Sequence, residues 1–162
     1  MRKPNVTILA HNIRSLWNIG SFFRTADAFG VSHIYLTGYT AQPPREEIHK
    51  TALGAEEWLP WSYSRDPIKV LRNLKKKGFQ AVALEITRKS EQLDTFSSDK
   101  PVCLIVGHEI LGVPADILKI CDNVVHIPMR GKKESLNVSV ALGIALYKLT
   151  VNGDQSENIG EK

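Results

Sequence analysis

Cys103-Leu-Ile-Val-Gly107-His-Glu109-Ile-Leu-Gly112-Val-Pro114 and, further on, Ile127-Pro-Met-Arg-Gly131-Lys-Lys-Glu-Ser135-Leu-Asn137-Val-Ser139-Val are the stretches on which the fold turns. Each begins as, or directly follows, an apolar run of strand length and passes into a glycine-marked loop holding a few polar groups. The second loop opens a strongly apolar helix. Where strands end, backbone amides and carbonyls come free, and small residues let a ligand approach them. The pattern predicts a ligand site at one edge of a sheet.

Working outward, apolar runs and helical periodicities alternate along the chain. Val6–Ala10 reads as a buried strand, followed by a loop through Asn12, Arg14, Asn18 and Gly20. Ile19, Phe22, Phe23, Ala26 and Phe29 then recur at helical spacing, with Gly30 as the stop, and Ser21, Arg24 and Ala28 on another face. Val31–Thr37 is the second strand, and a short helix follows around Arg45–Leu53. Trp58–Ser64 reads as the third strand. Asp66-Pro67 marks a helix start that runs to Gly78, because Asp caps and Pro is tolerated in the first turn. Strands are expected at Gln80–Leu84, Val102–Val106 and Val124–Ile127, with a polar connection over Arg88–Lys100 and a short helix at about Pro114–Ile120. The last helix spans about Leu136–Val151 and is apolar almost all round, so it is buried on more than one side or faces a partner. The alternation predicts an α/β fold with a mostly parallel sheet flanked by helices. Residues 1–151 read as one domain, and the polar tail 152–162 is expected to be disordered.

Composition narrows the class. The chain has 162 residues, 43% hydrophobic and 23% charged, which suits one folded domain and argues against disorder. No apolar stretch approaches the roughly 20 residues of a membrane span, and the N-terminus lacks a signal-peptide core, so the expected location is the cytoplasm. Cys103 and Cys121 lie in apolar runs with no Cys-x-x-Cys spacing, so they read as buried thiols and no metal is expected. The net charge of +4 permits an anionic partner without requiring one. Arg65, Lys69, Arg72, Lys75, Lys76 and Lys77 crowd one helix, where a solvated face is the plain reading. Arg130, Lys132 and Lys133 lie beside the expected ligand site.

Three segments bring polar groups to strand ends: Asn18-Ile-Gly20-Ser-Phe-Phe-Arg24, Gly107-His-Glu109-Ile-Leu-Gly112, and Pro128-Met-Arg-Gly131 with Ser135-Leu-Asn137. In order and at these separations they resemble the three signature motifs of the SpoU (TrmH-like) branch of the SPOUT RNA methyltransferases, over about Val6–Leu149. The resemblance implies a deep trefoil knot at the C-terminal end, which no reading of strands and helices would produce, since chain topology strongly disfavours knots. It also implies an S-adenosylmethionine pocket, a homodimer and transfer of a methyl group to a ribose 2′-hydroxyl of tRNA or rRNA. By the same resemblance Asn18 and Arg24, Glu109, and Ser135 and Asn137 are the catalytic set. Main-chain groups at Leu84, Gly107, Ile127, Met129 and Leu136 would hold the cofactor. Many relatives carry glycine where this chain has Ile110, so a slightly different loop shape is expected there.

Each residue also has a bland role. Asn18 and Gly20 are turn types, Glu109 could cap a segment, and Ser135 and Asn137 are good caps for the last helix. His108 reads as a wall residue, and Trp17, Trp58 and Trp61 as packing residues with base stacking as the alternative. An RNA-binding protein of the same fold without catalysis is the alternative function. A doubly wound nucleotide-binding enzyme would need a phosphate-cradling glycine loop after the first strand, and none is present.

Overall fold

The structure, a computed structural model, describes residues 5–151; the predicted polar tail lies outside the described residues. Seven strands form one sheet, β1 (Val6–His11), β2 (His33–Thr37), β3 (Trp61–Ser64), β4 (Gln80–Leu84), β5 (Glu91–Gln92), β6 (Val102–Val106) and β7 (Asn123–His126). Their order is β3-β2-β1-β6-β4-β7-β5, and every pairing is parallel. The helices are α1 (Leu16–Ala28), α2 (Glu46–Ala52), α3 (Ala55–Trp58), α4 (Pro67–Lys76), α5 (Ala115–Ile120) and α6 (Val138–Val151). The expected mostly parallel α/β sheet is therefore present.

The sheet is covered on both faces, which is why its central strands are apolar without alternation. β1 and β6 are buried at every position. Ile8, Ala10, Leu104 and Val106 face a core shared with Ile19, Phe22 and Phe23 of α1 and Leu142, Ala145 and Leu146 of α6. Leu9, Cys103 and Ile105 face the opposite core with Leu71 and Leu74 of α4 and Ile117 of α5. Phe22 and Phe23 are fully buried, each contributing about 1.5–3 kcal/mol of transfer free energy. Cys103 and Cys121 are free thiols, and burial pushes both pKa values up to about 12.

Several boundaries differ from the sequence reading. α1 starts earlier than expected: Ser15 caps it by accepting the Asn18 N–H at 3.3 Å, so Asn18 and Gly20 lie in helix and not in a loop. Gly20 is there for proximity, since a Cβ would run into Thr51 and the Ile48 carbonyl of α2. Trp58 ends the one-turn α3, and β3 begins only at Trp61, after Pro60. The connection over Arg88–Lys100 contains the two-residue edge strand β5. Asp66 caps α4 through the N–H groups of Ile68 and Lys69, as its position before Pro67 predicts.

The chain lays β1, β2 and β3 outward, then crosses back beyond β1 for β4, and β6 pairs with both β1 and β4. Sheet order reverses at this point, so the carboxyl ends of β6, β4 and β7 open onto a crevice, the place where open α/β sheets bind ligands.

Candidate active site

The loops leaving β4, β6 and β7, with the segment entering α6, enclose a cleft with about 170 Å³ of water-accessible space. Its lining includes Leu84, Gly107, Ile127, Met129 and Leu136, the five positions expected to hold a cofactor. Glu109 and Ser135 line it too. Most of the wall is apolar, with carboxylates at Glu85 and Glu109.

Glu109 ties the β6 loop to the start of α1. Its carboxylate accepts from the Arg14 N–H at 3.0 Å, the Ser15 N–H at 2.9 Å and the Asn18 amide at 3.1 Å. Partial burial pushes the carboxyl pKa up, but these hydrogen bonds to the charged form outweigh it and hold it below the ordinary value. Asn18 is itself buried and accepts from the Asn137 amide at 3.4 Å. Asn137 in turn caps α6: its side-chain oxygen accepts the Ser139 N–H at 2.8 Å, and its carbonyl accepts the Ala141 N–H at 2.9 Å. One polar chain, Glu109–Asn18–Asn137, thus joins all three motifs, and its members cap and connect at once. Ser135 stands exposed at the cleft. Arg24 is not brought to the cleft of its own chain. It is exposed, six residues along α1 from Asn18, or about 9 Å of helical rise.

The β6 loop is built by close backbone approach. At Gly107 a Cβ would meet the Gly112 carbonyl oxygen at 2.5 Å and the Val113 nitrogen at 2.7 Å. Gly112 has φ +70°, a conformation that favours glycine, and a Cβ there would strike the Glu85 carboxylate. Within the turn, the Ile110 and Leu111 N–H groups both donate to His108 Nδ1 at 3.0 Å, which makes His108 a loop-shaping wall residue. Ile110 and Leu111 are 75% and 81% exposed, so the residue in place of a second glycine costs the loop nothing sterically.

Sequence reasoning missed Glu85. An acidic residue directly after the apolar run of β4 was the available signal. Trp17 and Trp58, expected to pack, are 49% and 61% exposed; Trp58 donates to Asp27 at 2.7 Å, and Lys50 sits 5.8 Å from the centre of the Trp17 ring. Trp61 packs against the core. Among the described residues one group has the makings of a metal site, His49, Glu56 and Glu57, and it lies outside the cleft lining.

The sequence profile of the SpoU rRNA Methylase family matches residues 5–147. The chain belongs to that family. It is 34% identical to the tRNA (guanosine(18)-2'-O)-methyltransferase of Aquifex aeolicus, over 91% of this chain and 69% of that protein. It is 30% identical to the enzyme of the same name from Thermus thermophilus, over 91% of this chain and 75% of that one. In three dimensions it matches the AdoMet-bound rRNA methyltransferase from Sinorhizobium meliloti with a TM-score of 0.85 and 29% identity. That match covers 91% of this chain and 56% of the other.

Proposed function

We propose that this chain transfers the methyl group of S-adenosylmethionine to a ribose 2′-hydroxyl of tRNA or rRNA. The carrying observation is the convergence of Leu84, Gly107, Ile127, Met129 and Leu136 on one cleft that Glu109 also lines, with Glu109 tied in turn to Asn18 and Asn137 outside the lining. The names of the relatives, tRNA and rRNA methyltransferases, agree with this reading. The cleft's chemistry fits the donor. Leu84, Ile127, Met129 and Leu136 offer apolar walls for a flat base, and the Glu85 and Glu109 carboxylates on the same lining suit a cationic sulfonium.

When bound, S-adenosylmethionine supplies a methyl group on a sulfonium that is already an activated donor. The protein's part is alignment and help with the hydroxyl proton. Glu109 and Asn18 hold the start of α1 against the β6 loop, and Asn137 fixes the entrance to α6, so these segments keep one shape. Ser135, exposed at the cleft, is placed to contact the substrate. Arg24, exposed on α1, is suited to hold the phosphate beside the reacting ribose and polarise its hydroxyl by hydrogen bonding. Arg130, Lys132 and Lys133 stand exposed after the β7 loop as phosphate contacts.

Because Arg24 is off its own cleft, the reading includes a homodimer in which each Arg24 serves the partner's site. The exposed face of α6 supports this: Val140, Ile144 and Tyr147 are 51%, 42% and 54% exposed. α1 lies alongside, with the Phe29 and Tyr147 rings edge to face at 6.2 Å, so Arg24 is carried on the helix next to this face. The reading also includes the C-terminal trefoil knot, in keeping with β6 lying between β1 and β4 and with the packing of α6 against α1. It places the protein in the cytoplasm, where the free thiols Cys103 and Cys121 stay reduced.

The test is incubation with methyl-labelled S-adenosylmethionine and total cellular RNA, then digestion to nucleosides. Label is expected in a 2′-O-methylated nucleoside, and Arg24→Ala is expected to abolish it while cofactor binding survives. Label on a base, or no label with wild-type protein, would overturn the assignment.

A further inference from the structure

We propose that Glu85 is a positioning residue that sets the shape of the cofactor cleft by latching the β4 loop to the β6 loop. The inference rests on the reading of the cleft as the donor site. Glu85 is the first residue after β4, and its N–H donates to the Val125 carbonyl at 2.9 Å, which extends the β4–β7 register by one residue. That bond fixes its backbone, so the carboxylate leaves the sheet edge from a defined place. One carboxylate oxygen accepts the N–H of Ile86 in its own loop at 2.9 Å. The other accepts the N–H of Val113 at 2.9 Å, 28 residues further along the chain. None of the ion pairs among the described residues involves Glu85, so backbone N–H groups alone hold its charge.

The glycines of the β6 loop are shaped around this carboxylate. Gly112 takes φ +70°, and the space its missing Cβ leaves is filled by the Glu85 carboxylate. Gly107 in turn lies against the Gly112–Val113 peptide, with its own Cβ position 2.5 Å from the Gly112 oxygen. Glu85, the Gly112–Val113 peptide and Gly107 therefore stack in a row along one wall of the cleft. Glu85, Gly107 and Gly112 all line it. Removing the carboxylate frees the Val113 N–H and opens a gap behind the loop that must present the main chain at Gly107. The latch and the Glu109–Asn18–Asn137 chain hold the same β6 loop through separate hydrogen bonds, the latch from the β4 side and the chain from the α1 side.

Two measurements test this. The first is calorimetric titration with S-adenosylhomocysteine, paired with steady-state kinetics. Glu85→Ala is expected to weaken binding about tenfold and to raise KM for S-adenosylmethionine, with KM for RNA unchanged. Glu85→Gln, which keeps an acceptor oxygen for Val113, is expected to recover most of the affinity. Equal affinity for Glu85→Ala and wild type, or a rise in KM for RNA of the same size, overturns the latch. The second is a thermal-unfolding cycle over Glu85→Ala, Gly112→Ala and the double variant. The latch requires the double variant to be more stable than the sum of the single losses, since the carboxylate that the new Cβ strikes is gone. Strict additivity overturns it. If wild type itself binds no S-adenosylhomocysteine, the donor-site reading fails, and the unfolding cycle still decides the latch.

Discussion

Glu109→Ala should loosen the junction between the β6 loop and α1 by an amount that can be worked from its bonds. The carboxylate accepts three hydrogen bonds at 2.9–3.1 Å, two from backbone N–H groups and one from the Asn18 amide. A hydrogen bond to a charged group is worth about 1.5–3 kcal/mol when buried. Glu109 is partly exposed, and water can replace some of what is lost at Arg14, so about 1 kcal/mol per bond is the fitting value. Asn18 is buried and loses its acceptor outright. The expected loss is about 2–3 kcal/mol, or a fall in Tm of roughly 5–10 °C for a chain of this length. Glu109→Gln keeps one acceptor oxygen but turns an amide donor toward an N–H, so about half that loss is expected. Circular dichroism melts give the totals, and amide hydrogen exchange gives the location. Arg14 and Ser15 should exchange faster in Glu109→Ala while β1 amides are unchanged. A melt within 1 °C of wild type, or unaltered exchange at Arg14 and Ser15, would refute the reasoning.

Glu109 also predicts a pH dependence. Its folded pKa lies below the ordinary 4.5, so it contributes stability that is present above that value and lost as pH falls through the lowered folded pKa. Urea melts from pH 7 down to pH 3 should show a shallower acid loss in Glu109→Gln than in wild type; parallel curves would contradict this. Gly107→Ala places a Cβ against the Gly112–Val113 backbone, not in the open cleft, so it should cost about 1–3 kcal/mol of stability as well as cofactor affinity. A melt unchanged from wild type would show that the backbone contact is not tight. Asn137→Ala removes the α6 cap and should cost about 1 kcal/mol, read by chemical denaturation; Asn137→Ser should restore most of it, and equal loss in both would argue against capping.

The alternation was legible because each buried strand is an apolar run, α1 carries a 3.6-residue stripe, α4 is bracketed by Asp66-Pro67 and Gly78, and α6 is a long apolar run. The strands that were misread lacked such signals. β5 is Glu91–Gln92, polar and exposed, and backbone pairing with β7 is what makes it a strand. The aromatic run from Trp58 to Tyr63 hides a boundary, because Trp58 belongs to the helical turn begun at Gly54. At Gly20 the residue type suggested a turn, whereas the cause is the backbone of α2 pressed against α1.

Within the site, the five positions expected to hold a cofactor, which share one cleft, and the linked residues Glu109, Asn18 and Asn137 were singled out through a resemblance that spans three separated segments. Their geometry was not. Glu109 meets its partners 91 to 95 residues away, and Asn137 meets Asn18 across 119 residues. No local pattern carries contacts of that range. At Glu85 the acidic residue after an apolar run was a signal, but its partners Gly112 and Val113 were not legible for the same reason. Arg24 was expected in the catalytic set, yet the fold of one chain leaves it exposed and off the cleft lining.

The central claim is that three strand-end loops form one cradle for the donor. Backbone amide NMR during titration with S-adenosylhomocysteine tests it most directly. The account predicts saturable shifts concentrated at Leu84, Gly107, Ile127, Met129 and Leu136, with the helix α4 unmoved. Saturable shifts that fall elsewhere and leave those five amides in place would contradict it.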